Sequence, residues 1–155
     1  GGAEAWKVRD VLAEAGVIVV VQPSSNLPRS FESLGSRLEN AALLYEAGVK
    51  VGIAVLGDTH NVRNARQEAG IAASYGLPRD AAIAAVTQVI AEAYGMQESH
   101  GSLQPGKIAN LVVWSGDPLE LSSWPEAVII RGAPIPLISR QSKLRDRYLE
   151  RLRAQ

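Results

Sequence analysis

The sequence predicts an α/β fold built on a parallel sheet, followed by a small antiparallel β layer and a terminal helix. Three observations lead there. Two apolar runs rich in β-branched residues, 17–21 and 49–56, lack polar alternation, as strands covered on both faces do. Each run follows a segment with helically spaced apolar residues and a closing glycine, Gly16 or Gly48. Beyond about residue 100 the spacing changes to short strands separated by turn residues.

Taken in order, residues 5–15 place Trp6, Val8, Val11 and Leu12 on a helical period, with Glu4 favourably placed at the positive end of the helix dipole. The run 17–21 is the first strand. Residues 22–37 carry Pro23, Ser24, Ser25, Asn26, Pro28 and Gly35 and read as a loop, of a length that is often functional. A second helix spans 38–47 and a second strand 49–56. The polar loop Gly57-Asp58-Thr59-His60-Asn61 precedes a helix over 63–75, stopped by Gly76. Pro78 opens an alanine-rich helical stretch that runs to Gly95. Gln104 to Lys107 is a turn and Ala109 to Trp114 a short strand, punctuated by Gly116-Asp117-Pro118. Residues 127–130 and 133–138 form a hairpin around Arg131-Gly132. The charged segment 140–153 is helical, with Leu144, Tyr148 and Leu152 on a stripe suited to covering a partner surface.

Composition removes several classes of function. Sixteen basic and sixteen acidic residues leave no positive field for a nucleic acid backbone. With no cysteine there is no disulfide scaffold, thiolate metal site or cysteine nucleophile. No apolar run approaches the roughly 18 residues of a membrane span. The opening Gly1-Gly2-Ala3-Glu4 lacks a signal-peptide pattern and a methionine, and reads as a cut or processed end, so the compartment stays open. The 155 residues suit one ordinary domain and fall short of the roughly 250 of a complete (β/α)₈ barrel.

In parallel sheets, ligands meet the loops at the carboxyl ends of strands. Asp58 lies two residues past the second strand, close to His60, Asn61 and Arg63. A carboxylate there can bind a divalent metal or act as a base, and it can equally cap the helix that follows. An imidazole at residue 60 can ligate or shuttle a proton, or simply be solvated. The loop from Pro23 to Arg29 opens on the same end of the sheet and offers hydroxyl, amide and guanidinium groups to a polar substrate. Glycine loops for phosphate, serine elbows and zinc-finger spacings are absent.

The stretch Gly101-Ser102-Leu103-Gln104-Pro105-Gly106-Lys107-Ile108-Ala109-Asn110-Leu111-Val112-Val113-Trp114, with Gly116-Asp117-Pro118-Leu119-Glu120, resembles the closing signature of the amidohydrolase superfamily. Ala47 to Val51, Gly57-Asp58 and Arg66-Gln67-Glu68-Ala69-Gly70 resemble barrel strand 8 and its helix in imidazolonepropionase-like members. Residues 2–8 resemble the segment after barrel strand 6. The resemblance implies the C-terminal part of a TIM-barrel hydrolase. Residues 1–98 would form barrel helix 6 to helix 8, 99–138 strands of a composite β-sandwich, and 139–155 a terminal helix. It further implies hydrolysis of a C–N bond in a small molecule (a cyclic amide, an imidazolone or a dipeptide) by water activated on a divalent ion, commonly zinc. Asp58 would bind that metal and act as the catalytic proton acceptor, with His60, Asn61 and Arg63 near the substrate. Such a chain taken alone would carry one metal ligand, would be inactive, and would need the N-terminal part of the barrel as its partner, with homo-oligomerisation a further option. Departures from the pattern are Gly1 in place of a strand-6 histidine, Val89-Ile90 in place of Asn-Pro, and Asn110 in place of aspartate. They leave open a second reading, a non-catalytic barrel fragment that serves as an assembly or interaction module.

Overall fold

The computed structural model describes residues 2–57 and 59–153, an α/β arrangement of two separate sheets and six helices. The chain enters through a 3₁₀ turn, Ala5–Val8, that continues as α1, Arg9–Glu14. The tighter turn shifts the phase of the helix: Ala5, Leu12 and Ala13 pack on the core, while Val8 and Val11 stay exposed. This entry is tied down by Asn40, which is fully buried. Its Oδ1 accepts the Trp6 backbone N–H at 3.0 Å and its Nδ2 donates to the Gly2 carbonyl at 2.9 Å.

Strand β1, Ile18–Val21, pairs in parallel with β2, Lys50–Ile53, with Val19 opposite Val51 and Val21 opposite Ile53. Helix α2, Asn40–Glu46, makes the crossover between them. Val19, Val21, Val51 and Ile53 are buried, whereas Ile18 and Val20 are half-buried, so β1 is less evenly covered than its composition suggests. The helix stops read from sequence share one geometry. At Gly16 and Gly48 the backbone turns left-handed, and the next residue returns a hydrogen bond to the last turn: Val17 N–H to Leu12 O at 3.4 Å and Val49 N–H to Leu44 O at 3.0 Å. Both arrangements launch a strand directly from a helix end.

After β2 a 3₁₀ helix, Thr59–Asn64, leads into α3, Ala65–Ser74, and then α4, Arg79–Val86. The stretch expected as one helix from 78 to 95 is two. Thr87 departs from helical geometry, its Oγ1 donates to the Ile83 carbonyl at 2.7 Å, and α5, Gln88–Ala93, begins beyond it. Gly101 crosses directly above this break: a Cβ there would lie 3.1 Å from the Thr87 carbonyl and 2.7 Å from the Ala91 Cβ. Val89 and Ile90 lie over Gly52 of β2, so this departure from the family pattern supplies apolar packing.

The second sheet is antiparallel, in the order β3, Leu111–Trp114, β4, Pro125–Ile130, and β5, Ala133–Ile135. Arg131 (φ 51°) and Gly132 (φ 79°) make the expected two-residue turn, the left-handed pair that matches strand twist. Asn110 Oδ1 accepts the Arg131 N–H at 2.9 Å, an acceptor role that the family's aspartate would share. Helix α6, Arg140–Arg153, closes the described chain and leaves Leu144, Tyr148 and Leu152 exposed. Among the described residues, no helix is long and apolar enough to cross a membrane.

The segment between β3 and β4 is clasped to α3. Arg66 Nη1 donates to the carbonyls of Pro118 (3.0 Å), Glu120 (2.9 Å) and Ser123 (3.1 Å), and its guanidinium lies 4.7 Å from the centre of the Trp114 ring. Leu119 enters the core from this segment, over Gly70. Arg79 adds ion pairs to Asp117 and Glu120. The turn motif read as punctuation therefore docks the antiparallel sheet on the α/β layer.

Candidate functional site

The parallel register places the carboxyl ends of β1 and β2 side by side, and the ladder continues one step further through Ala54 N–H to the Val21 carbonyl at 3.1 Å. Two loops leave this edge, 22–37 after β1 and 54–64 after β2. The second carries the candidate residues. Asp58 lies outside the described residues. His60 and Arg63 are exposed on the 3₁₀ helix, and Asn61 is half-buried there.

A polar network centred on the buried Glu68 ties the start of the loop after β1 to α3 and, through Gln22, to Leu56. Glu68, on α3 and 6% exposed, accepts the Ser24 backbone N–H at 2.8 Å, the Ser24 hydroxyl at 2.6 Å and Gln22 Nε2 at 3.3 Å. Gln22 turns its Oε1 to the Leu56 N–H at 2.8 Å. Ser24, expected as a possible substrate contact, is thus engaged within the protein. Asn26 is 2% exposed, and its Nδ2 has no hydrogen-bond partner among the described residues.

Sequence pattern alone does not mark Gln22 or Glu68 as partners of the site loop. The available signal was a carboxylate on the inward face of α3, one residue before Ala69 and four before Ala72, both buried. A charged residue at a core-facing position asks for partners.

The donor types in the loop after β2, one carboxylate and one imidazole, suit a divalent ion but number fewer than the three protein ligands of a catalytic site. Among the described residues, no three His, Cys, Asp or Glu side chains gather closely enough to hold a metal.

The sequence model of the amidohydrolase family matches residues 6–136. The chain belongs to this family. As an amidohydrolase it is 35% identical over 114 residues to a 5-methylthioadenosine/S-adenosylhomocysteine deaminase of Bacillus cereus, a match covering 67% of this chain and 25% of the deaminase. The crystal structure of an amidohydrolase from Thermotoga maritima superposes with a TM-score of 0.79 at 32% identity, over 87% of this chain and 35% of that one. An adenosine deaminase from Xanthomonas campestris with bound zinc shares the fold, with a TM-score of 0.58 at 20% identity over 96% of this chain and 40% of its own. This amidohydrolase chain therefore spans a quarter to two fifths of the length of these three relatives.

Proposed function

We propose that this chain forms the C-terminal part of a metal-dependent amidohydrolase that hydrolyses a C–N bond in a small molecule. In this reading β1 and β2 are barrel strands 7 and 8 within residues 1–98. Residues 99–138 belong to a composite β-sandwich, and 139–155 to a terminal helix. The observation that carries it is the family match over 6–136, combined with a parallel pair whose strand ends both feed polar loops at one edge. The greater length of the relatives supports a barrel completed by further chain. Cyclic amides, imidazolones and dipeptides are the substrate classes that the imidazolonepropionase-like motifs suggest.

Asp58 supplies one ligand to a divalent ion, with zinc favoured, and accepts the proton released by the attacking water. When bound, such an ion lowers the pKa of its water to about 7 and polarises the scissile carbonyl. In this reading substrate contacts come from His60 and Arg63, which are exposed on the 3₁₀ helix, and from Asn61 beside them. The test is Asp58→Asn in the protein as encoded, assayed for zinc content and for hydrolysis of a panel of cyclic amides, imidazolones and dipeptides. Loss of zinc and a fall in rate of about 10²–10⁴-fold are expected from removing such a group. Full activity in that variant would refute the assignment.

One observation favours a second reading. Each strand of the parallel pair has a single neighbour among the described residues, which leaves an edge open on each for pairing. A non-catalytic assembly module would then bind no zinc, whether in its native form or as the Asp58→Asn variant.

A further inference from the structure

We infer that Gln22 and Glu68 act as a pair of positioning residues that lock the candidate site loop to the end of β1. The functional part of this inference rests on the reading proposed above. The loop after β2 is gripped at both ends by one pair of side chains. At its start the Leu56 N–H, beyond the end of β2, donates to Gln22 Oε1 at 2.8 Å. Past its end Glu68 on α3 receives Gln22 Nε2 at 3.3 Å, together with the Ser24 N–H and hydroxyl. The amide of Gln22 therefore spans from the site loop to the helix that follows it, while Gln22 itself sits one residue past β1.

The donor and acceptor inventory accounts for an amide at residue 22 facing a carboxylate at residue 68. Three donors converge on residue 68, and only a carboxylate can accept on both of its ends. Residue 22 accepts from Leu56 and donates to residue 68, which its amide does in one orientation. A carboxylate 6% exposed and bonded here only to neutral donors is costly to bury, and apolar side chains would fill the space at less expense.

The inventory also supplies the test, through variants of nearly unchanged shape. Glu68→Gln sets an NH₂ group against one of the converging donors. Gln22→Glu sets two carboxylates against each other. The exchanged pair, Q22E with E68Q, restores complementarity: the new carboxylate accepts from Leu56 and from the residue-68 amide, whose oxygen accepts the Ser24 backbone N–H while the Ser24 hydroxyl turns to accept from the amide NH₂. In the protein as encoded, hydrogen exchange at the Leu56 amide should quicken about tenfold in each single variant, because the lost hydrogen bond between residues 22 and 68 no longer anchors the side chain that accepts from Leu56. Zinc affinity, measured against a chromophoric chelator, should fall about tenfold in each. The exchanged pair should recover both, and amide protection along β1 and β2 should hold throughout. Unchanged Leu56 exchange in both single variants, or an exchanged pair no better than either, would overturn the inference. Asp58→Asn separates the two claims. If it leaves zinc binding intact, the metal reading fails and Leu56 exchange alone decides the bracket. If it abolishes zinc binding while the bracket variants change nothing, the bracket fails.

Discussion

Substituting Gly70 by alanine tests whether the segment between β3 and β4 is seated on α3. Gly70 lies within α3, where replacing glycine normally stabilises by about 0.5–1 kcal/mol. Here a Cβ would lie 2.8 Å from the Leu119 carbonyl oxygen, well inside ordinary contact. That oxygen has little room to retreat. The carbonyls on either side of it, of Pro118 and Glu120, are both held by Arg66 at 3.0 and 2.9 Å, and the Leu119 side chain is buried. Overpacking costs about 1–3 kcal/mol, and with the carbonyls on both sides held the upper part of that range, about 2–3 kcal/mol, applies, so the net loss should be about 1–2.5 kcal/mol. For a chain of this size that lowers Tm by roughly 3–6 °C. Urea unfolding followed by circular dichroism would show a lower midpoint at unchanged slope. Arg66→Met should cost about 2–4 kcal/mol alone, because three carbonyls lose a charged donor that offers two hydrogens. Combined with Gly70→Ala it should cost less than the sum, since the freed segment can move away from the new methyl group. A neutral or stabilised Gly70→Ala, or strict additivity in the double variant, would refute the clasp.

Other perturbations follow from the same geometry. The Asp117 carboxyl is held below its ordinary value of 3.8 by the backbone N–H of Leu119, opposed by desolvation and aided by Arg79. Its contribution to stability is therefore full at neutral pH and is lost as pH falls from 3.8 through the lower folded value. Asp117→Asn should flatten that part of the acid-unfolding curve followed by fluorescence. Gly101→Ala places a Cβ 2.7 Å from the Ala91 Cβ at a φ of +90°. Left-handed strain and overpacking together should cost about 2–4 kcal/mol in chemical denaturation.

Much of the fold is legible because its signals are local. The helix stops at Gly16 and Gly48 need only a glycine and the apolar residue that follows, and both are adjacent in sequence. The hairpin turn at Arg131-Gly132 is two residues long and closes strands that are themselves continuous. The break at Thr87 is different. Its alanine-rich flanks have the composition of one helix, and the interruption coincides with the close passage of Gly101, fourteen residues away, above the helix junction. Likewise the 3₁₀ entry at Ala5–Val8 changes which side chains face inward without changing the apolar spacing that predicts a helix.

The site divides along the same line. The position of the loop after β2 follows from strand and helix periodicity, so the placement of His60, Asn61 and Arg63 in the segment between β2 and α3 is legible from sequence alone. The contacts around that loop are non-local: Leu56 bonds to Gln22, 34 positions away, and Gln22 and Ser24 bond to Glu68, 46 and 44 positions away. Ser24 shows the consequence. In sequence it is one hydroxyl in a polar loop and a fair candidate for touching substrate; in the fold its backbone and side chain are both turned inward to Glu68. Glu68 in turn reads as an ordinary helix-surface acid until Ala69 and Ala72 are seen to be buried beside it. In an α/β protein the ends of strands are set by pairing, but the path of the loops beyond them is set by buried polar side chains whose partners arrive from distant segments. A search for positioning residues in such a sequence should therefore begin with carboxylates on the inward faces of the helices that follow the site loops.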